Sequence, residues 1–280
     1  MVRSLWSAAT GMNAQQTNVD TISNNLANVN TTGYKAQVAQ FKSLLYQELQ
    51  TITTTENGAP KPVSSQVGLG TRVSAINQLF KQGSFLSSDN PAALAIGGDG
   101  FFAYNSADGT RLYTRNGNFS WALDANNTDL VLTTAEGNKV LGIDGNPIVV
   151  AGNGRVASRI TIDGEGKIYY PDDAGVPVQV GTMQIGLWQF PNREGLERVG
   201  SAAWKETQSS GAAIQENGAN AGNNNNIKRS EIVQGYLEGS NVNVANEMVN
   251  LIVAQRAYEM NSTAIQTTDE MMQTANGLKR

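Results

Sequence analysis

The chain has 280 residues, 40% of them hydrophobic and 16% charged, with a net charge of −4. It contains no His and no Cys, which excludes disulfides, thiol nucleophiles and thiolate metal sites and removes the commonest general base and metal ligand. The acidic balance without a basic stripe argues against nucleic acid as a partner and against polybasic docking on a membrane.

Residues Val2 to Val29 read as one helix, with Gly11 as the only glycine and no proline. At 1.5 Å per residue it would be about 40 Å long. Leu5, Met12, Val19 and Leu26 recur every seven residues, with Ala8, Gln15, Ile22 and Val29 three after each. Such a repeat draws a narrow stripe suited to a partner helix. The other face is rich in Asn and Gln, among them Asn13, Gln16 and Asn24, so the helix needs packing to order it. Gly33 suits a left-handed position that ends it. No apolar run resembles a cleaved signal peptide or reaches the length of a membrane span, so direct membrane insertion is not expected.

Tyr34 to Leu49 fits either helix or strand. Thr51 to Thr55 reads as a strand entering an exposed turn at Glu56 to Pro62, and Val63 to Val73 as its return, together a long hairpin. From Gly70 to about Trp204 short apolar runs alternate with turn dipeptides: Asp99-Gly100, Asp108-Gly109, Asn116-Gly117, Glu136-Gly137, Asp144-Gly145 and Asp163-Gly164. Most have the form of hairpin turns, and their spacing predicts a meander or barrel-like body with Phe101, Phe102, Tyr104, Tyr113, Phe119 and Trp121 in its core. Residues 207–226 are polar and of low complexity, a linker. Ile227 to Gly239 can add a strand. Ser240 to Asn243 offers caps for a last helix that runs to about Ala275. That helix again repeats every seven residues at Val244, Leu251, Tyr258, Ile265 and Met272, with Met248 and Gln255 four after the first two.

The expected fold class is α+β: paired, coiled-coil-like terminal helices flank a central mainly-β domain, with a long hairpin linker. The expected division is a helical assembly domain of residues 1–33 and 240–280, a linker of 34–72 and 225–239, and an outer domain of 73–224. The plain alternative is two amphipathic helices packed on one globular domain. The seams expected to assemble are Leu5, Met12, Val19, Ile22, Leu26 and Val29 with Val244, Met248, Leu251, Tyr258, Ile265 and Met272. Chemistry finds little footing. Asp124 to Asp129 lacks the glycine and distal Glu of a calcium loop. Gly97-Gly98-Asp99-Gly100 lacks the Lys-Ser/Thr of a phosphate-binding loop, and no carboxylate pair can be placed for glycoside hydrolysis. No enzyme, cofactor or metal is expected.

The stretch Asn24-Asn25-Leu26-Ala27-Asn28-Val29-Asn30-Thr31-Thr32-Gly33-Tyr34-Lys35 resembles the signature of bacterial flagellar basal-body rod and hook axial proteins. Ser240 to Asn243, Glu247-Met248-Val249 and Gln255-Arg256-Ala257-Tyr258-Glu259 are similar to the C-terminal part of that pattern. Gly97 to Phe102, Tyr113-Thr114-Arg115 and Glu206 to Gly211 extend the likeness through nearly the whole chain. Within the family, the room for one β domain, the segment Tyr46 to Gly70 and the run Thr207 to Gly211 resemble the distal-rod members; proximal-rod paralogues share both end motifs. The resemblance implies a structural subunit, exported without a cleaved signal peptide. It would polymerise helically into a hollow, rigid drive shaft that transmits torque to the hook and passes exported proteins through its lumen. It implies as partners further copies of the chain, proximal rod proteins, hook or hook-junction subunits and surrounding envelope rings. The location it implies is the basal body, in the periplasmic space of a diderm cell.

Overall fold

A computed structural model of the chain describes residues 2–50, 65–124, 129–152, 155–172, 175–200, 202–216 and 228–278. The tip of the expected hairpin, the middle of the Asp124–Asp129 loop and most of the expected linker after Glu216 lie outside the described residues. The chain forms an N-terminal helix, a mainly-β middle and a C-terminal helix, and divides into two compact units.

The first unit is Met1–Ala27, Gln37–Gln78 and Asn243–Arg280. Helix α1 (Val2–Ala27) and helix α2 (Val244–Gly277) pack on each other. They run antiparallel: a Cβ on Gly11 would lie 2.9 Å from Asn261 Nδ2, whereas Asn25 near the other end of α1 reaches Glu247 near the start of α2. Helix α1 stops two residues earlier than its periodicity suggests, because the chain turns at residues 28–30 before Gly33 takes its left-handed φ of 71°. Helix α2 is capped by Asn243, whose side chain accepts the Asn246 N–H, satisfying an otherwise orphaned donor. The residues that allowed helix or strand after Tyr34 are strand. β1 (Gln37–Ser43) and β2 (Tyr46–Gln50) pair antiparallel with β4 (Thr71–Gln78) and β3 (Ser65–Gly68). Leu44 N–H to Gly70 O and Leu69 N–H to Leu45 O join the two ladders into one two-stranded ribbon.

The second unit is Asn28–Ala36 and Leu79–Val242. Its largest sheet has six strands, in spatial order Glu197–Gly200, Ala203–Lys205, Arg111–Thr114, Phe101–Asn105, Leu187–Gln189, Ile214–Gln215. Among the described residues, two three-stranded sheets and two strand pairs complete the body. Successive residues of a strand point to opposite faces, so Phe101 and Phe102 serve different cores. Phe102 packs with Leu94, Phe119, Leu132 and Ile185. Phe101 joins Tyr113, Phe190 and Trp204 in an edge-to-face aromatic set, a geometry that aligns ring edges with ring faces. Tyr104 is buried as expected, while Trp121 is half-buried.

Of the turn dipeptides, Asp108-Gly109 and Asp163-Gly164 close hairpins, and Glu136-Gly137 and Asp144-Gly145 close turns between bridged segments. Asp99-Gly100 and Asn116-Gly117 do not: each joins strands that pair in different sheets. At Gly117 a Cβ would lie 1.7 Å from Leu94 O, so that glycine serves close backbone passage and not a tight turn.

Candidate functional site

Helix α1 carries Ala8, Ala14, Thr21, Ile22 and Asn25 as its buried positions, with Leu5, Met12, Val19 and Leu26 half-buried beside them. Val29, expected on the same seam, lies beyond the end of the helix in the turn and is half-buried. On α2 Leu251, Ile265 and Met272 are half-buried, but Val244, Met248 and Tyr258 are exposed. The second row of this seam is occupied instead by Glu247, Ala254, Asn261 and Thr268, of which Ala254 and Thr268 are buried. Small side chains at the contact let two helices approach closely, and Gly11 facing Asn261 does the same on α1. The larger apolar residues Met248, Val249, Ile252, Val253 and Met260 stay more than half exposed.

The signature residues separate by role. Asn25 is buried, and its amide forms a side-chain copy of a strand ladder: Nδ2 donates to Gln37 O and Oδ1 accepts Gln37 N–H, both at 2.8 Å. Nδ2 also lies 3.4 Å from Glu247 Oε2, so one Asn pins the first residue of β1 to α1 and touches the start of α2. Asn24 and Ala27 are exposed and Leu26 and Asn28 half-buried. Gly33, Tyr34 and Lys35 are buried in the β body. Of the C-terminal signature, Gln255, Arg256, Tyr258 and Glu259 are exposed and Ala257 half-buried. Arg256 and Glu259 form a surface ion pair at 2.9 Å, worth little in water.

Lys35, Arg115 and Glu238 form a buried charge cluster that motif reading left without a role. Glu238 Oε1 receives Lys35 Nζ at 2.6 Å and the Gly83 N–H at 3.0 Å, while its Oε2 receives Arg115 at 3.2 Å. All three charged side chains are at most 1% exposed. Arg115 also donates to Gly98 O at 2.7 Å and lies over the Phe101 ring. Two cations share one carboxylate, so burial pushes both the Lys35 ammonium and the Arg115 guanidinium below their ordinary ranges, with Glu238 opposing. Nothing local in the sequence reveals this set, because Arg115 and Lys35 lie 123 and 203 positions from Glu238.

Two internal motifs also find structural explanations. Gly98 and Gly100 let the chain pass against Ser230 and Glu216, where a Cβ would lie within 2.6 Å of their side chains. In the Thr207–Gly211 run, Ser210 is fully buried, Thr207 Oγ1 donates to Gly195 O at 2.6 Å, and Ser210 Oγ accepts the Thr207 N–H at 3.0 Å. A cleft lined by Asp163, Glu165, Glu216, Arg229 and Glu231 is rich in carboxylates. Its buried member, Glu216, is taken up by the Ser230 hydroxyl and N–H.

Family models match at both ends and in the body. The model "Flagella basal body rod protein" covers residues 5–35, "Flagellar hook protein FlgE/F/G D1 domain" residues 95–170, and "Flagellar basal body rod FlgEFG protein C-terminal" residues 233–278. The flagellar basal-body rod protein FlgG of Borreliella burgdorferi is 44% identical over 283 residues, covering 100% of both chains. Those of Agrobacterium fabrum and Bacillus subtilis are 38% and 36% identical, covering 96% and 100% of this chain and 97% and 100% of their own. Likeness of this degree along the full length, with the matched segments falling on α1, the β body and α2, is that of common descent, and the chain belongs to the flagellar basal-body rod protein FlgG family, whose members are structural proteins and not enzymes.

Proposed function

We propose that the chain is a subunit of the distal rod of the flagellar basal body, polymerising helically into a hollow, rigid shaft that carries torque to the hook and exported chains through its lumen. One observation carries this: α2 has 34 residues, and among the described residues only Ala254 and Thr268 are buried in the lone subunit. Val249, Ile252, Val253, Met260 and Met271 fall within one arc of about 100° on the side away from Ala254 and Thr268 and remain more than half exposed. A helix face this rich in apolar side chains is normally covered, and contiguous exposed apolar surface marks an interaction site. Further copies of the same chain supply that cover.

In this reading α1 and α2 form a coiled-coil-like pair, and residues 1–33 and 240–280 are the assembly domain. β1 to β3 and the start of β4 lie in the linker at 34–72, continued by 225–239, and 73–224 faces outward. Asn13, Gln16 and Asn24, all exposed on α1, suit the wall of a wet channel because amides offer hydrogen bonds with little fixed charge. Exposed Leu45, Tyr46 and Ile76 on the ribbon offer contacts to neighbouring subunits that stiffen the shaft. Proximal rod proteins, hook or hook-junction subunits and envelope rings are the other partners, met after export without a cleaved signal peptide, in the periplasmic space of a diderm cell.

The decisive experiment is deletion of the gene with purification of basal bodies. Rods that stop short and carry no hooks, restored by the intact chain, are the expected result. Normal hooks in the deletion strain would sink the proposal and favour a secreted adhesive protein.

A further inference from the structure

The β body exchanges chain with the other unit at four places, after residues 27, 36, 78 and 242. Three of these lie next to a single side chain. Asn241 Oδ1 accepts the Ala36 N–H at 2.7 Å, and Nδ2 donates to Leu79 O at 2.7 Å and Lys81 O at 3.0 Å. Leu79 N–H in turn donates to Ala36 O at 2.8 Å. The buried charge cluster backs this knot from within the body: Lys35 Nζ also reaches Lys81 O at 2.9 Å, and Gly33 N–H donates to Glu238 O at 2.8 Å. Only a primary amide presents one acceptor and two donors in a plane this small. Asp would turn an oxygen toward two carbonyls, and Ala would leave one backbone N–H and two carbonyls without this partner.

We propose that Asn241 is a positioning residue for assembly: its amide holds the entry to β1, the exit from β4 and the approach to α2 together on the body, so that the assembling segments leave it in one register. The proposal rests on the assembly reading above. It differs from a purely local role in what it predicts. Loss of the knot loosens the crossings and weakens polymerisation while the body's cores, which lie elsewhere around Phe102 and Trp204, keep their stability.

The test uses the full chain with Asn241→Ala and Asn241→Asp. Hydrogen exchange in the dilute subunit reads the Ala36 and Leu79 amides, tryptophan fluorescence reads thermal unfolding of the body, and sedimentation reads the critical concentration for polymerisation. With Asn241→Ala the Ala36 amide should exchange about tenfold faster, as expected for loss of one net hydrogen bond. The critical concentration should rise by about tenfold or more, with the body's melting temperature almost unchanged. Asn241→Asp, which keeps an acceptor for Ala36 but repels two carbonyls, should raise the critical concentration with a smaller change at Ala36. Unchanged exchange shows that the knot does not form. Faster exchange with an unchanged critical concentration, or a collapse of the body's melting transition, reduces Asn241 to local structure; each outcome overturns the proposal. If the unsubstituted chain fails to polymerise, the assembly reading itself falls, and the exchange data alone still report on the knot.

Discussion

Replacing Glu238 by Gln keeps the shape of the buried cluster and removes its only negative charge, leaving Lys35 and Arg115 buried with no counter-ion. Breaking a buried ion pair from one side costs about 3–5 kcal/mol, because the stranded charge has lost its solvation and its partner. Here Lys35 has an escape that limits its share: it can release its proton. From its ordinary value of 10.5, deprotonation costs about 5 kcal/mol at pH 7 and about 2 kcal/mol at pH 9, at 1.36 kcal/mol per unit. Arg115 has no such escape but keeps its bond to Gly98 O and the Phe101 face. The Glu238→Gln chain should therefore lose roughly 4–5 kcal/mol at pH 7, and about 2–3 kcal/mol of that deficit should vanish by pH 9. The sign follows from linkage. Burial lowers Lys35 and Glu238 opposes that shift, so removing Glu238 lowers it further; the unfolded variant then binds more protons than the folded one over a wider window below 10.5, and the deficit shrinks as pH rises through it. The scan should stop short of pH 10, since burial raises Tyr104 and Tyr113 and their ionisation on unfolding erodes stability above that point. Urea unfolding followed through buried Trp188 and Trp204 measures the body directly. A deficit below about 1 kcal/mol at pH 7, or one that does not change with pH, would falsify the account of Glu238 as the shared counter-ion.

Other substitutions probe different links. Gly83→Ala places a Cβ 2.0 Å from Gly239 O; backbone must move, and calorimetry should show a loss of about 2–3 kcal/mol in the body. Asn25→Ala strips Gln37 of its side-chain ladder in the helical unit, which should cost about 2 kcal/mol and speed exchange of the Gln37 amide; unchanged exchange there would count against the pin. Gly11→Ala meets only the end of the Asn261 side chain, which can swing away, so helical content by circular dichroism should hold or rise and stability should change by less than about 1 kcal/mol. Val253→Asp, on a residue 62% exposed, should leave the subunit's melting temperature untouched and abolish polymerisation by sedimentation; filaments formed at the normal concentration would argue that this face of α2 meets no neighbour.

Local chemistry made the ends readable. A helix declares itself through period and caps, both short-range properties, and so α1, α2 and the Asn243 cap could be placed from their own residues. The family motifs were readable for the same reason, as contiguous strings. The partition of the motifs was not. Asn24 to Lys35 reads as one signature, yet Asn25 works inside the helical unit while Gly33, Tyr34 and Lys35 are built into the body. Heptad counting favoured Met248 and Gln255 as a second row on α2 because they follow Val244 and Leu251 by four residues. The structure fills that row with Ala254 and Thr268, since close helix contact rewards small side chains.

By itself, then, the sequence determined which segments are helical, that the middle is β, and that His- and Cys-dependent chemistry is absent, since composition and short-range periodicity suffice for each. Tertiary structure alone decided that Lys35, Arg115 and Glu238 share one buried site and that Asn241 bonds to Ala36, Leu79 and Lys81. It also decided which apolar side chains of α2 stay uncovered. These depend on contacts between residues up to about two hundred positions apart, brought together by packing that no local pattern encodes.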